Sequence, residues 1–327
     1  MSIKIAVLGT GGVARSNYLP YLSKQPDVSL TLYSRTRAKA EDCAKSFGGR
    51  VADSVADLMA DQPDTLLVLT KETTRYEAAM TALEYKPRRI FFEKPLVAKS
   101  GQASVCEEDF TQARELLKKA KSAGSETAMI FNYRFFEQTV RARKAIAERN
   151  LGKLAQASLT VNYACWSHCI DLLHLFGGLA AEITAISGLP GQKATDVAAA
   201  FKLQQGATGT ILGTGALKFD LTLYEMMLCF ERGIVRFSDL DEAVEIHENA
   251  SRYGERHALI GNHSRWDQYK ASFEKSLAAY LDSIRNNRPP PIPGMAGLEE
   301  LQFEAALRRS IAQRRPVDVQ KEFPLDV

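Results

Sequence analysis

A lysine suited to acid–base chemistry stands at the end of an apolar run. Ile90-Phe91-Phe92 reads as a buried strand, and Glu93-Lys94-Pro95 follows it directly. A lysine in this position can polarise a substrate oxygen and exchange a proton with it. Pro95 favours an extended backbone at Lys94 and could be cis, which would hold the lysine in a fixed pose. A Glu-Lys surface turn is the alternative interpretation, but it does not explain why the turn interrupts a buried strand.

A glycine turn near the start of the sequence is suited to binding phosphate. Gly9-Thr10-Gly11-Gly12-Val13-Ala14 follows an apolar strand and fits the spacing G-x-G-x-x-A before a helix. Gly9 permits a tight turn, Gly11 lets the backbone approach a pyrophosphate, and Ala14 lets helix and strand pack closely. Gly12 and Val13 begin the helix, whose N–H groups and dipole favour phosphate. The motif predicts a dinucleotide site, against the alternative of a plain tight turn.

The residues after the second predicted strand bear on which dinucleotide binds. An NAD site usually has Asp or Glu there to bind the ribose hydroxyls, whereas this chain has Ser34-Arg35-Thr36-Arg37. These hydroxyl and guanidinium groups could bind a 2′-phosphate, and Arg35 could also stack on adenine. We therefore predict NADP as the preferred cofactor, with NAD also possible. In the alternative interpretation, Ser34 or Thr36 caps the next helix and Arg37 faces solvent.

Strands and helices alternate along the stretch that carries both motifs. Continuous apolar strands separated by helices predict an α/β fold with a doubly wound parallel sheet, in a Rossmann domain over residues 1–130. Beyond this point the pattern changes to period-two strands with glycine turns, bracketed by helices. We expect residues 131–327 to form an α+β domain on an open, mostly antiparallel sheet, which would bind substrate or a second subunit.

The composition is typical of a soluble globular protein and argues against several classes of partner. The chain has 327 residues, of which 45% are hydrophobic, and a net charge of +3, which suits about two domains. Its basic residues form only short groups, so we expect no nucleic-acid partner. No run approaches the roughly 20 apolar residues that span a bilayer, and no signal-peptide pattern is present, so we expect no membrane partner and a cytoplasmic location.

Three stretches in this order resemble the Gfo/Idh/MocA family of sugar and polyol dehydrogenases. They are Gly9 to Ala14, Phe92 to Leu96, and Phe131-Asn132-Tyr133-Arg134-Phe135, which is similar to the family's link between domains. The resemblance implies that Lys94 contacts the reacting hydroxyl or carbonyl of a sugar-like substrate and that Glu93 lies beside the nicotinamide ribose. It also implies that Thr70 and Lys71 line the cofactor groove, and that copies of the chain form a dimer or tetramer through the C-terminal sheet.

A histidine further along the chain fits the same resemblance in part. Ser167-His168-Cys169-Ile170-Asp171 matches the family's His-x-x-Asp pattern, which implies that His168 exchanges a proton with substrate and that Asp171 orients it. Ala164 stands where the family has an aspartate, four residues before the histidine. Read without the resemblance, His168 is a capping or core-edge histidine. Two cysteines nearby could suggest a metal, but no distant fourth ligand accompanies them, so we predict none.

Hydride transfer between nicotinamide and a carbohydrate or polyol is therefore the leading prediction, and two alternatives stay open. The first is an NADP-binding sensor or regulatory protein without turnover, which the alanine at position 164 favours. The second is a reductase of a non-sugar ketone, imine or tetrapyrrole, since the segment before His168 is short and carries aromatic residues.

Overall fold

Two β-sheets organise the computed structural model, which describes residues 2–188, 196–215 and 218–327. Met1, the first residue of the predicted Rossmann domain, lies outside these ranges. One sheet is parallel and the other is mostly antiparallel, which confirms the predicted α/β fold class. The predicted division of the chain between residues 130 and 131 stays a prediction.

The first sheet has six parallel strands in the order β3-β2-β1-β4-β5-β6. These are β1 (Ile3–Leu8), β2 (Val28–Tyr33), β3 (Arg50–Val51), β4 (Thr65–Val68), β5 (Arg89–Phe92) and β6 (Glu126–Met129). Its helices are α1 (Leu19–Leu22), which continues a π-helical segment at Ala14–Tyr18, α2 (Arg37–Phe47), α3 (Val55–Ala60), α4 (Glu72–Leu83) and α5 (Glu107–Ser122). The strand order reverses between β1 and β4, and ligands of such sheets bind beyond the carboxyl ends of the strands at that point.

The second sheet has nine strands in the order β14-β13-β12-β11-β7-β10-β9-β8-β15, and only the pair β7 and β10 is parallel. Its strands are β7 (Leu154–Asn162), β8 (Ala180–Ile186), β9 (Asp196–Leu203), β10 (Thr208–Thr214), β11 (Tyr224–Phe230), β12 (Gly233–Ser238), β13 (Ala243–Glu248), β14 (Glu255–Ala258) and β15 (Val317–Asp318). The helices of this half are α6 (Glu137–Glu148), α7 (Trp166–Gly177), α8 (Arg265–Arg285), α9 (Met295–Gln313) and α10 (Val319–Glu322).

Helix α8 covers one face of the first sheet, although it comes late in the sequence. Phe273 and Tyr280 of this helix belong to the same buried cluster as Val7 and Phe91 of the sheet. The Tyr280 ring lies 4.8 Å from that of Phe91, and its hydroxyl is hydrogen-bonded to Thr65 at 2.7 Å. The helix therefore runs along this face of the sheet, and its Tyr280 lies at the amino end of β4. Among the helices of the described residues, none is long and apolar enough to cross a membrane.

Candidate cofactor and catalytic site

A cavity of about 880 Å³ lies at the carboxyl ends of the parallel strands, where the strand order reverses. It brings together most of the residues predicted to bind cofactor. Its lining includes Gly9, Gly11, Gly12, Val13, Ser34, Arg35, Thr36, Thr70, Lys71, Glu93 and Lys94. Tyr269 and Phe273 of α8 form part of the wall as well. The glycine turn and a half-buried lysine therefore share one continuous cavity.

The glycine turn leaves space where a phosphate would need it. At Gly9, φ is +106°, and a side chain would come within 2.8 Å of the Thr70 nitrogen, so the turn packs tightly on the end of β4. At Gly11 and Gly12, by contrast, an added Cβ meets nothing within 4 Å. Those two positions face open space at a helix start. In addition, the buried hydroxyls of Thr10 and Thr70 have no hydrogen-bond partner among the described residues, so a ligand could supply one.

The end of the cavity beside β2 has a different set of cations from the predicted one. Arg37 lies outside the lining, because its guanidinium is paired with Glu41 at 2.8 Å and with Asp53. Lys39, which the sequence did not single out, lines the cavity together with Arg35. Thr36 stands at the N-cap position of α2, but its side chain makes no capping hydrogen bond. The capping alternative therefore does not account for this hydroxyl.

The turn that carries Lys94 is fixed from two sides. The Lys94–Pro95 peptide is cis, which the sequence had left open. The buried Glu93 carboxylate accepts a hydrogen bond from the Tyr18 hydroxyl at 2.9 Å and from the Lys94 backbone N–H at 2.8 Å. The same carboxylate and burial raise the pKa of Tyr18 well above its ordinary value, with burial the larger cause. Glu93 is therefore held against the first helix.

Arg75, which the sequence gave no reason to select, joins this turn to the neighbouring strand. Its buried guanidinium donates to the carbonyl of Glu93 at 2.8 Å, to that of Pro95, and to that of Thr70 at 2.8 Å. Burial lowers the pKa of Arg75. One side chain on α4 thus fixes the ends of β4 and β5 relative to each other.

The Lys94 ammonium group has two neutral oxygen partners. It donates to the side-chain oxygen of Gln102 at 3.1 Å and lies 3.5 Å from the backbone carbonyl of Ala164. Gln102 comes from a 3₁₀ turn at Gln102–Ser104 and lines the cavity. Neither contact places an opposite charge on the lysine, so its positive charge is available to a ligand oxygen.

His168 lies behind the cavity and not in its lining. The ring stacks on Tyr133 at a centroid distance of 3.9 Å and meets Phe131 edge-on at 5.8 Å. Neither ring nitrogen has a hydrogen-bond partner among the described residues. Complete burial, followed by the nearby Lys94 charge, lowers the pKa of His168 well below its ordinary value, so the imidazole is neutral.

Asp171 contacts Arg134 in place of the expected His168. Its two carboxylate oxygens accept hydrogen bonds from the guanidinium at 2.8 and 2.5 Å. Burial raises the pKa of Asp171, and the guanidinium acts in the opposite direction. The pairing follows from burial, because a carboxylate removed from water needs a charged partner and Arg134 supplies two parallel donors.

Comparison with known proteins finds a family model that matches the N-terminal part of the chain. Residues 3–130 match the GFO_IDH_MocA family model, described as "Oxidoreductase family, NAD-binding Rossmann fold". The match covers less than half of the chain, so it shows a likeness of its N-terminal part to the Gfo/Idh/MocA family. Part of the chain is 25% identical over 151 residues to glucose-6-phosphate 3-dehydrogenase of Bacillus subtilis strain 168. That alignment covers 46% of the chain and 40% of the relative, so the chain spans less than half the length of this curated relative.

Two solved structures share the fold over nearly the whole chain. An oxidoreductase from Agrobacterium radiobacter, in complex with NAD+, L-tartaric acid and magnesium, has a TM-score of 0.80 at 17% identity and covers 98% of this chain and 100% of its own. A super-repressor mutant of Gal80p from Saccharomyces cerevisiae has a TM-score of 0.80 at 12% identity and covers 98% of each chain. At these identities, the two likenesses establish a common fold and no common activity.

Proposed function

We propose that this protein transfers hydride between a nicotinamide cofactor, with NADP preferred, and a hydroxyl or carbonyl group of a carbohydrate or polyol. The observation that carries the proposal is the single cavity of about 880 Å³ that joins the glycine turn to Lys94. The match of residues 3–130 to an NAD-binding oxidoreductase family model supports the coarser part of the proposal, which is nicotinamide-dependent redox chemistry.

The residues of the cavity fit a dinucleotide. The open space at Gly11 and the unpartnered hydroxyls of Thr10 and Thr70 suit phosphate oxygens. At the adenosine end, the cations Arg35 and Lys39 line the cavity, and the sequence has no acid there to bind an unmodified ribose. This combination favours a 2′-phosphate and therefore NADP. When bound, the nicotinamide supplies or accepts the hydride.

Lys94 is the group that we propose acts on the substrate oxygen. An ammonium group with neutral partners can turn one N–H towards a carbonyl oxygen, polarise it, and stabilise the negative charge that develops as hydride arrives. In the opposite direction the neutral amine, formed by loss of one proton to water, accepts the hydroxyl proton as the hydride leaves the carbon for the cofactor. Glu93 keeps its carboxylate on Tyr18 and on the Lys94 backbone, so it positions the lysine without neutralising its side chain.

The proposal assigns His168 a narrower part than the sequence predicted. Its imidazole is neutral, is buried at 1% exposure and lies close enough to Lys94 for the lysine charge to lower its pKa. The neutral imidazole can accept a proton from Lys94, but only when one ring nitrogen comes within hydrogen-bonding distance of the lysine. We assign Asp171 no direct contact with His168, because its carboxylate accepts both of its hydrogen bonds from Arg134.

A sensor or regulatory protein that binds NADP without turnover is the second candidate function. The observation in its favour is the enclosed position of His168, together with alanine at position 164. In such a protein the cavity would bind the dinucleotide, and Lys94 would fix the nicotinamide end without chemistry. The two candidates share the cofactor site and differ in turnover.

One experiment separates the two candidates. The affinities for NADPH and NADH are measured by fluorescence titration, and turnover is then measured over a panel of sugars, polyols and ketones. The variants are Lys94→Ala and, as a matched control, Lys144→Ala, whose side chain is 71% exposed on α6. The dehydrogenase predicts turnover that is lost in Lys94→Ala and kept in the control. Tight NADPH binding without turnover on any substrate supports the sensor, and equal affinity for the two cofactors contradicts the preference for NADP.

We also propose that copies of the chain associate as a dimer or tetramer through the outer face of the second sheet. Ile186 on β8 and Leu212 on β10 are 70% and 44% exposed there, which is unusual for large aliphatic side chains on strands. Light scattering should give a mass above the monomer's, and Leu212→Glu should lower it. A monomer at micromolar concentration contradicts this part of the proposal.

A further inference from the structure

The loop between the Lys94 turn and α5 is closed at its base by a buried carboxylate. Asp109, which is 0% exposed, accepts a hydrogen bond from the Lys99 backbone N–H at 2.7 Å and from that of Cys106 at 2.9 Å. Arg308 of α9 donates to the carbonyl of Val105, a buried residue, at 3.0 Å. The loop is therefore held at both ends, and its 3₁₀ turn presents Gln102 to the cavity.

The orientation of the Gln102 amide follows from its contact with Lys94. An ammonium group carries donors only, so the amide must present its oxygen to the lysine, at 3.1 Å. The amide nitrogen then points away from Lys94. It donates to no group among the residues that the structure describes, and the side chain lines the cavity. Two donors, the Lys94 ammonium and the Gln102 amide, thus stand side by side at the edge of the cavity.

We propose that Gln102 is a specificity-determining residue for the oxidoreductase reaction and that its amide N–H binds an oxygen on the carbon next to the reacting one. This inference rests on the proposed function. The substrate that fits two adjacent donors has two neighbouring oxygens: a hydroxyketone in the reduction direction and a vicinal diol in the oxidation direction. Gln102 also positions Lys94, and because its oxygen is neutral it does so without cancelling the charge on the lysine.

The test compares two ketone probes that differ in one hydroxyl group. With NADPH, kcat and KM are measured for 2-hydroxycyclohexanone and for cyclohexanone. The variants are Gln102→Ala, Gln102→Glu, and the matched control Gln112→Ala, whose amide donates to Glu108 at 3.2 Å on the outer side of α5. Gln102→Glu keeps an oxygen for Lys94 but lacks the N–H donors.

The wild-type protein should favour the hydroxyketone in kcat/KM by about tenfold, the usual effect of one neutral hydrogen bond. Gln102→Ala should lose most of that preference, mainly through KM, whereas Gln112→Ala should keep it. Gln102→Glu should lose the preference too, with a fall in kcat on both probes because its carboxylate offsets the Lys94 charge. Thermal unfolding midpoints should stay equal, which separates a binding role from a folding role. The same preference in Gln102→Ala as in wild type overturns the inference, and so does a wild type that shows no preference or reduces neither probe. Any of these results contradicts the role of Gln102 only. The proposed function still holds if the wild type turns over other substrates and Lys94→Ala does not.

Discussion

Replacing Glu304 with glutamine should change how the stability of this protein depends on pH. Glu300 and Glu304 lie one turn apart on α9, and they are 0% and 1% exposed. Burial raises the pKa of Glu304 from the ordinary value of 4.5 to about 7, and Arg308, at 3.5 Å, acts in the opposite direction. Burial and the neighbouring Glu304 raise the pKa of Glu300 as well. Asp109 and Asp171 add negative charge near this pair, and Lys94 adds positive charge.

The sign of the effect follows from which state binds the proton more tightly. The folded protein keeps the Glu304 proton up to about pH 7, whereas the unfolded chain releases it near its ordinary pKa. Stability from this group is therefore fully present below the unfolded pKa and is lost as pH rises through the folded pKa. A rise of about 2.5 units at ~1.36 kcal/mol per unit gives a loss of about 3 kcal/mol between pH 4 and pH 8. Glutamine has nearly the same shape and no proton to lose.

Urea unfolding at several values between pH 5 and pH 8 measures this difference. Relative to wild type, Glu304→Gln should gain stability as pH rises, by about 2 to 3 kcal/mol over the range. The exposed Glu274 on α8 provides a control, because Glu274→Gln should give a curve parallel to that of wild type. If the Glu304→Gln and wild-type curves are also parallel, then Glu304 is ionised in the folded protein at neutral pH and the reasoning from burial is wrong.

Three further variants test the site from other directions. Arg35→Ala should weaken NADPH binding by about tenfold with little change for NADH. Arg37→Ala should change neither affinity, because that guanidinium is paired outside the cavity. Equal effects of the two variants in a fluorescence titration contradict this assignment. Arg134→Leu should lower the free energy of unfolding by about 3–5 kcal/mol, because it leaves the Asp171 carboxylate buried and unpaired. A loss below about 1 kcal/mol, measured by urea unfolding, would mean that this carboxylate is solvated. Gly11→Ala should leave the thermal unfolding midpoint almost unchanged, because the added Cβ meets no protein atom within 4 Å. It should nevertheless weaken NADPH binding strongly by filling the space for phosphate, and unchanged binding would place the phosphates elsewhere.

The features that could be predicted from the sequence are those that depend on short runs of neighbouring residues. The glycine turn, the Glu93-Lys94-Pro95 turn and the alternation of strands and helices each depend on a few neighbouring positions, so local spacing was enough to predict the parallel sheet and the residues at its carboxyl edge. In a parallel sheet the strand ends meet at one edge whatever the loops do. That rule predicted Lys94 at the carboxyl edge, the family resemblance added Thr70, and both residues line the cavity.

The features that the sequence did not predict depend on contacts between side chains that are far apart along the chain. Asp171 had the spacing to orient His168, but Arg134 offers a charged, two-donor contact that an imidazole cannot match. Arg75 looked like an ordinary helical residue, and its role appears only once three carbonyl groups from two strand ends converge on it. Gln102 lies in a loop whose course is set by Asp109 and α9, so no local signal indicated that it would meet a lysine.

The arrangement of carboxylates around Lys94 bears on the alanine at position 164. The adjacent acid, Glu93, binds Tyr18 and a backbone N–H, and the buried acid Asp171 binds Arg134. The hydrogen-bond partners of the Lys94 side chain among the described residues are neutral oxygens. One of those oxygens is the backbone carbonyl of residue 164, and a carbonyl is present whatever the side chain is. The alanine therefore removes a possible proton acceptor but not the contact that holds Lys94, and an ammonium group whose hydrogen-bond partners are neutral can still turn towards a substrate oxygen.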